Sequence, residues 1–126
     1  MNVRGIKDRD FKTLAKWVPD WHELKNLGPH GIAVEQNGKL LLALWYIPTA
    51  ATWFLIEGLV KQPALDQQTT NRALDLAVAK AFELGKRDGF KSWLGLSGRP
   101  KLVKKFKERY GAQEANNNVT VVVSKL

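Results

Sequence analysis

The segment from Trp53 to Ala112 constrains the fold most, because a strand, a helix, a second strand and a second helix follow one another there with almost no slack. Trp53-Phe54-Leu55-Ile56-Glu57-Gly58-Leu59-Val60, ended by Pro63, is the mostly apolar run expected of a central strand covered on both faces. From about Thr70 to Arg87, Leu74, Ala77, Val78, Ala81 and Leu84 trace one apolar stripe of an amphipathic helix. Thr69 or Thr70 is available as its N-cap, and Gly85 or Gly89 stands near its end. Gly89-Phe90 leads into Ser92 to Leu96, and a strand, helix, strand run of this length predicts a right-handed crossover to a parallel neighbour. The last helix, from Arg99 or Pro100, buries Leu102, Val103, Phe106 and Tyr110, and Gly111 sits where a left-handed cap is needed.

The flanking segments complete a sheet. Val3 to Ile6 reads as a short strand, and Asp8 as the N-cap of a helix in which Phe11, Leu14, Ala15 and Val18 recur at helical spacing until Pro19. A helical turn follows around Trp21 to Leu27. Asn37-Gly38 between two apolar runs is the signal for a tight hairpin with both turn residues at positive φ. With Trp53 to Val60, the two hairpin strands predict an antiparallel meander. Glu114 to Asn118 reads as a loop and Val119 to Val123 as a closing strand. The expected architecture is one α/β (α+β) domain over residues 1–126, with a mixed, mostly antiparallel sheet of about six strands flanked by helices.

Composition narrows the chemistry. The absence of cysteine excludes a disulfide framework and a thiolate nucleophile, and two isolated histidines predict no metal centre. With no long apolar run and no apolar leader after Met1-Asn2-Val3-Arg4, the expectation is a soluble cytoplasmic protein with no membrane partner. The formal charge of +8 is concentrated at Arg99, Lys101, Lys104, Lys105, Lys107 and Arg109, which with Glu108 give +5 in eleven residues. Such a helix attracts phosphates or an acidic protein surface, or is simply a solvated face. Trp17, Trp21, Trp45, Trp53 and Trp93 are scattered along the chain, which favours core packing over a stacking platform for bases.

The order of elements, from the opening Arg4-Gly5-Ile6-Lys7-Asp8-Arg9-Asp10-Phe11 to the C-terminal strand, resembles the GNAT-family N-acetyltransferases over nearly the whole chain. The resemblance implies a GNAT-like acyl-CoA N-acyltransferase fold. It also implies acetyl-CoA as cofactor, with the strand at Leu59, Val60 and Lys61 pairing with the pantetheine arm. The family's phosphate loop, R/Q-x-x-G-x-G/A before an alanine- and leucine-rich helix, corresponds to Asp66-Gln67-Gln68-Thr69-Thr70-Asn71, leading into Arg72-Ala73-Leu74. The helix matches, whereas Thr69 and Asn71 replace both glycines and Asp66 replaces the Arg or Gln. Backbone N–H groups survive those changes, so Gln67 to Arg72 stay the expected diphosphate contacts, although the added side chains narrow the approach and Asp66 repels a diphosphate. The same threonines and Asn71 also read as an ordinary helix cap.

The family commonly places a tyrosine, the acid that protonates the leaving thiolate, four residues before the last helix's glycine. Lys107 stands there, and Tyr110, spaced helically from Phe106, reads as core, so the acid is unassigned. Glu57 is the one carboxylate on the central strand and the expected general base, with a solvated edge or a lysine pair as the plainer reading. His22 and His30 flank a loop that in the family often borders the acceptor site. Two functions follow: a divergent acetyl-CoA-dependent N-acetyltransferase acting on an unknown amine, or a catalytically silent GNAT-fold binding or structural protein. The second would use the basic helix to engage an acidic protein or nucleic acid. It is similar to the small GNAT-like proteins encoded by bacteriophages, whose place is the host cytoplasm or the virion.

Overall fold

The computed structural model describes residues 1–96, 99–116 and 121–125. The chain opens with β1 (Asn2–Gly5), α1 (Asp10–Trp17), α2 (Trp21–Leu24) and one 3-10 turn (Lys25–Leu27). There follow β2 (Gly31–Gln36), β3 (Lys39–Ile47), β4 (Trp53–Lys61) and the long helix α3 (Gln67–Arg87). The chain closes with β5 (Ser92–Leu96), α4 (Pro100–Tyr110), β6 (Gln113–Asn116) and β7 (Val121–Lys125). One mixed sheet has the order β1-β2-β3-β4-β5-β7-β6, antiparallel throughout except for the β4–β5 pair, so β4 is its central strand.

The expected meander and parallel crossover are both present. Asn37 and Gly38, at φ 53° and 76°, make the predicted tight turn, with Gln36 opposite Lys39. The described sheet has seven strands where the sequence suggests about six. The extra one is β6, on a segment read as a loop, whose backbone pairs with β7 from Gln113↔Val123 onward. A strand at a sheet edge leaves half its backbone to water, so polar residues mark an edge as readily as a loop. Asn117, Asn118, Val119 and Thr120 lie outside the described residues; the closing strand is described from Val121.

Alternation along β2 and β3 sends side chains into two apolar clusters. In one, Ile32, Val34, Leu42, Leu44, Tyr46, Phe54 and Ile56 join Leu74, Ala77, Val78 and Ala81 of α3 and Val103 and Phe106 of α4. In the other, Ala33, Ala43, Trp45 and Val60 join Leu14 and Leu24 of the N-terminal helices. Trp93 is fully buried between Phe82 and Phe106, at ring separations of 5.5 and 5.4 Å, so it serves packing, as its place in the sequence suggests. Gly85 lets α3 lie flat on β4: a Cβ there would come within 2.3 Å of the buried Phe54 ring. Among the described residues no helix is long and apolar enough to cross a membrane.

The start of α1 departs from expectation. Arg9, not Asp8, is at the N-cap and makes no side-chain cap. The carboxylate that pins this corner is Asp10, which accepts from the Lys7 amide at 2.7 Å and from both Arg4 terminal nitrogens at 2.7 and 2.9 Å. Arg4 Nε also donates to Glu35 at 3.0 Å, tying β1, α1 and β2 together. Asp10 is 5% exposed, so its ionised form depends on these donors. Burial pushes its carboxyl up, but Arg4 and the Lys7 amide outweigh that and hold it below its ordinary 3.8.

Two stability measurements check this packing. Gly85→Ala should lower stability by about 1–2 kcal/mol, because overpacking against Phe54 exceeds the roughly 1 kcal/mol helix-propensity gain; a raised melting temperature would refute the close approach. For Asp10, a depressed folded-state pKa means stability present above about pH 4 and lost as pH falls through the folded value. Asp10→Asn should therefore be destabilising by about 1–3 kcal/mol at pH 7. Its urea midpoint should converge on that of the parent below about pH 4, and a gap that widens on acidification would contradict the ion pair.

Candidate acyl-carrier and acceptor cleft

The cleft arises from a mismatch between the two sides of β4. Against β3, β4 is paired as far as Leu42↔Lys61; against β5 it is paired only from Trp53↔Ser92 to Ile56↔Gly95. From Glu57 to Lys61 the side of β4 away from β3 is therefore not taken up by the sheet, and its polar groups need other partners. A bulge lies within this stretch, since Trp45↔Glu57 and Ala43↔Val60 leave one extra residue in β4. Gly58 supplies it at φ +70°, and a Cβ there would meet Leu27 at 2.3 Å and Trp45 at 3.1 Å.

Two cavities flank this stretch and share Leu59, Arg99 and Leu102. The larger, about 610 Å³, lies between β4, the first turns of α3 and the face of α4. Six cations line it (Lys61, Arg99, Lys101, Lys104, Lys105 and Arg109) against one carboxylate, Glu108. The smaller, about 390 Å³, is walled by Val18, Pro19, Asp20, Glu23 and Leu24 on one side and by Ile56 to Val60 on the other. Among the described residues its carboxylates are Asp20, Glu23 and Glu57, with Arg99 its single cation. These acids do not form a metal site: among the described residues no group of three His, Cys, Asp or Glu could hold an ion.

Of the residues expected to contact a cofactor, Leu59, Lys61, Gln67, Thr70 and Asn71 line the larger cavity, and Leu59 and Val60 the smaller. Gln68, Thr69 and Arg72 line neither. Arg99 donates to the Leu59 carbonyl at 2.8 Å, bridging α4 to the open edge of β4. Asn71 Oδ1 is buried without a hydrogen-bond partner in the wall of the larger cavity, an arrangement that ordinarily costs about 1–3 kcal/mol.

The expected phosphate loop is not a loop. Helix α3 begins at Gln67, and its N-cap is Asp66 instead of Thr69 or Thr70. Asp66 accepts from the Thr69 amide and the Thr69 hydroxyl, both at 2.8 Å, while Thr70 donates its amide and its hydroxyl to the Asp66 carbonyl at 2.9 and 2.8 Å. The Thr69 donors, with the Gln68 amide close by, hold the Asp66 carboxyl below its ordinary range. Aspartate is preferred to threonine at an N-cap and its charge suits the positive end of the helix, which is why Asp66 takes that role from the threonines.

Tyr110, read from the sequence as core, packs partly against the main cluster and donates its hydroxyl to Asp75 of α3 at 2.7 Å. Asp75 also accepts from Arg109 Nε at 3.1 Å and from a second Arg109 nitrogen. Burial, and then Asp75, push the Tyr110 phenol up, away from any role as a ready acid. Lys107 lines neither cavity. His22 stacks on Trp21 with ring centroids 3.9 Å apart, and His30 lies 6.0 Å from the Tyr46 ring; both are exposed and outside the two cavities. Sequence reasoning missed Asp20 and Glu23, which flank the noted Trp21-His22 pair, and the Asp75 clasp, whose partners are 34 and 35 residues away.

Lys105 is held below the ordinary lysine range by burial, then by repulsion from Lys61, Arg109 and Lys101, with Asp75 pulling the other way. The cavity therefore concentrates positive charge that its own carboxylates leave uncompensated.

No protein-family model matches the sequence, and neither does any curated protein. Solved structures match along its whole length. Rv2747 of Mycobacterium tuberculosis, in complex with CoA, superposes with a TM-score of 0.79 at 10% identity, covering 100% of this chain and 99% of that one. An acetyltransferase of the GNAT family from Staphylococcus aureus Mu50 gives 0.76 at 8% identity, covering 99% and 98%. The N-acetylglutamate synthase of Neisseria gonorrhoeae, complexed with coenzyme A and N-acetyl-glutamate, gives 0.73 at 19% identity; the match covers 99% of this chain and 35% of that longer one. The chain has the fold of the GNAT-family acetyltransferases.

Proposed function

We propose that this protein is an acyl-CoA-dependent N-acyltransferase, with acetyl-CoA as donor and an amine as acceptor. The observation that carries the reading is the pair of oppositely charged cavities meeting at Leu59, on the stretch of β4 beyond its pairing with β5. The larger cavity suits a polyanionic carrier: Leu59, Val60 and Lys61 run beside its arm, with Gln67, Thr70 and Asn71 in the facing wall. The smaller cavity suits a cation, because Asp20, Glu23 and Glu57 attract a protonated amine. The complexes of similar folds with CoA support the same donor.

When bound, the thioester supplies an activated acyl carbon. The protein's task is to deliver an uncharged nitrogen to it, since an ammonium has no lone pair. Glu57 is half-buried on β4 within the acceptor cavity and takes the ammonium proton there. Asp20 and Glu23 keep the acceptor oriented, and Arg99 holds the Leu59 carbonyl, so that the strand beside the carrier stays in place. Leu24, Leu102 and Phe106 close the apolar side and limit water.

Glu57→Gln should lower acetyl transfer to a diamine or lysine-like amine by about 100-fold or more, leaving acetyl-CoA affinity and melting temperature unchanged. Unaltered turnover would remove Glu57 from the mechanism, and no acetyl-CoA binding at millimolar ligand would sink the whole reading.

A further inference from the structure

The cations of the larger cavity are arranged against their own stability. Lys101 and Lys105 are one helical turn apart on α4, where like charges repel and weaken the helix. Arg99 and Lys101 stand at the start of α4, where the helix dipole disfavours positive charge and where the first turn has no acidic residue. Three of the six cations are already engaged: Arg99 with the Leu59 carbonyl, Lys104 with Glu108 at 3.8 Å, and Arg109 with Asp75. Lys101 and Lys105 have neither a hydrogen bond nor an ion pair among the described residues, and Lys61 reaches only the Gln62 carbonyl at 3.5 Å. At the start of α3, Asp66 occupies the Thr69 amide and hydroxyl, so a built-in carboxylate stands where a phosphate would meet those donors.

We infer that Lys61, Lys101 and Lys105 form a phosphate-binding site on the β4–α4 wall of the cavity, and that the diphosphate of the acyl carrier is held there instead of at the N-terminus of α3. A phosphate between these lysines relieves the repulsion within α4 and sits in the favourable field of its N-terminal end. Asp66 then has a selective role: it repels a diphosphate from α3 and leaves α4 as the anion's landing place. The identity of the carrier rests on the acyltransferase reading; the anion site itself does not.

The test is calorimetric titration of the intact protein with CoA, with pantetheine, which has no phosphate, and with inorganic pyrophosphate. Lys101→Gln combined with Lys105→Gln should weaken CoA and pyrophosphate at least tenfold without changing pantetheine affinity, and Asp66→Asn should leave CoA affinity equal or higher. If that double variant were insufficiently stable, Lys61→Gln alone should give a smaller loss in the same direction. Unchanged CoA affinity in the lysine variants, or its loss in Asp66→Asn, would overturn the assignment. If the parent protein binds pyrophosphate lysine-dependently but not CoA, the site stands and the carrier reading falls; binding of neither removes the site. A short single-stranded oligonucleotide that binds more tightly than CoA would reject a small-molecule phosphate as its ligand.

Discussion

Everything functional in this protein depends on the unequal pairing of β4. One side is hydrogen-bonded to β3 over its length, which fixes the strand at the centre of the sheet, while the parallel contact with β5 ends after Ile56. Beyond that residue β4 stays paired with β3 but parts from β5, and the cleft is the space thus opened. The bulge at Gly58 sets where this happens, since its positive φ and the closeness of Leu27 and Trp45 leave no room for a side chain. The central strand is thereby coupled to the N-terminal helices, which bring Asp20 and Glu23 to the smaller cavity.

Charge then divides the cleft. The carboxylates of the smaller cavity come from the N-cap and first turn of α2 and from β4, and the cations of the larger one mainly from α4, with Leu59, Arg99 and Leu102 between them. Neither half is balanced internally. Helix α4 itself is held in place at its C-terminal end, where Asp75 of α3 takes both Arg109 and Tyr110.

Much of the fold was legible in local pattern. The Asn37-Gly38 turn, the apolar run of β4, the stripe on α3 and the Gly111 cap at φ 70° are each determined by residues adjacent in sequence or one helical turn apart. The errors fall where a competing partner decides. The N-cap of α3 lies at Asp66 because the helix already begins at Gln67, where aspartate caps well, and β6 was hidden because edge strands tolerate polar residues. Asp10 replaced Asp8 at the first corner because Asp10, and not Asp8, meets Arg4 of β1.

The sequence by itself determined the order of elements, the central strand, the cation-rich helix and the one acid on β4, because short-range periodicity and residue type are enough for these. Tertiary structure alone decided that Tyr110 is committed to Asp75 and that Asp20 and Glu23 join Glu57 across a shared cavity. Those outcomes depend on which side chains from distant segments reach the same few ångströms, and spacing along a chain does not encode that distance.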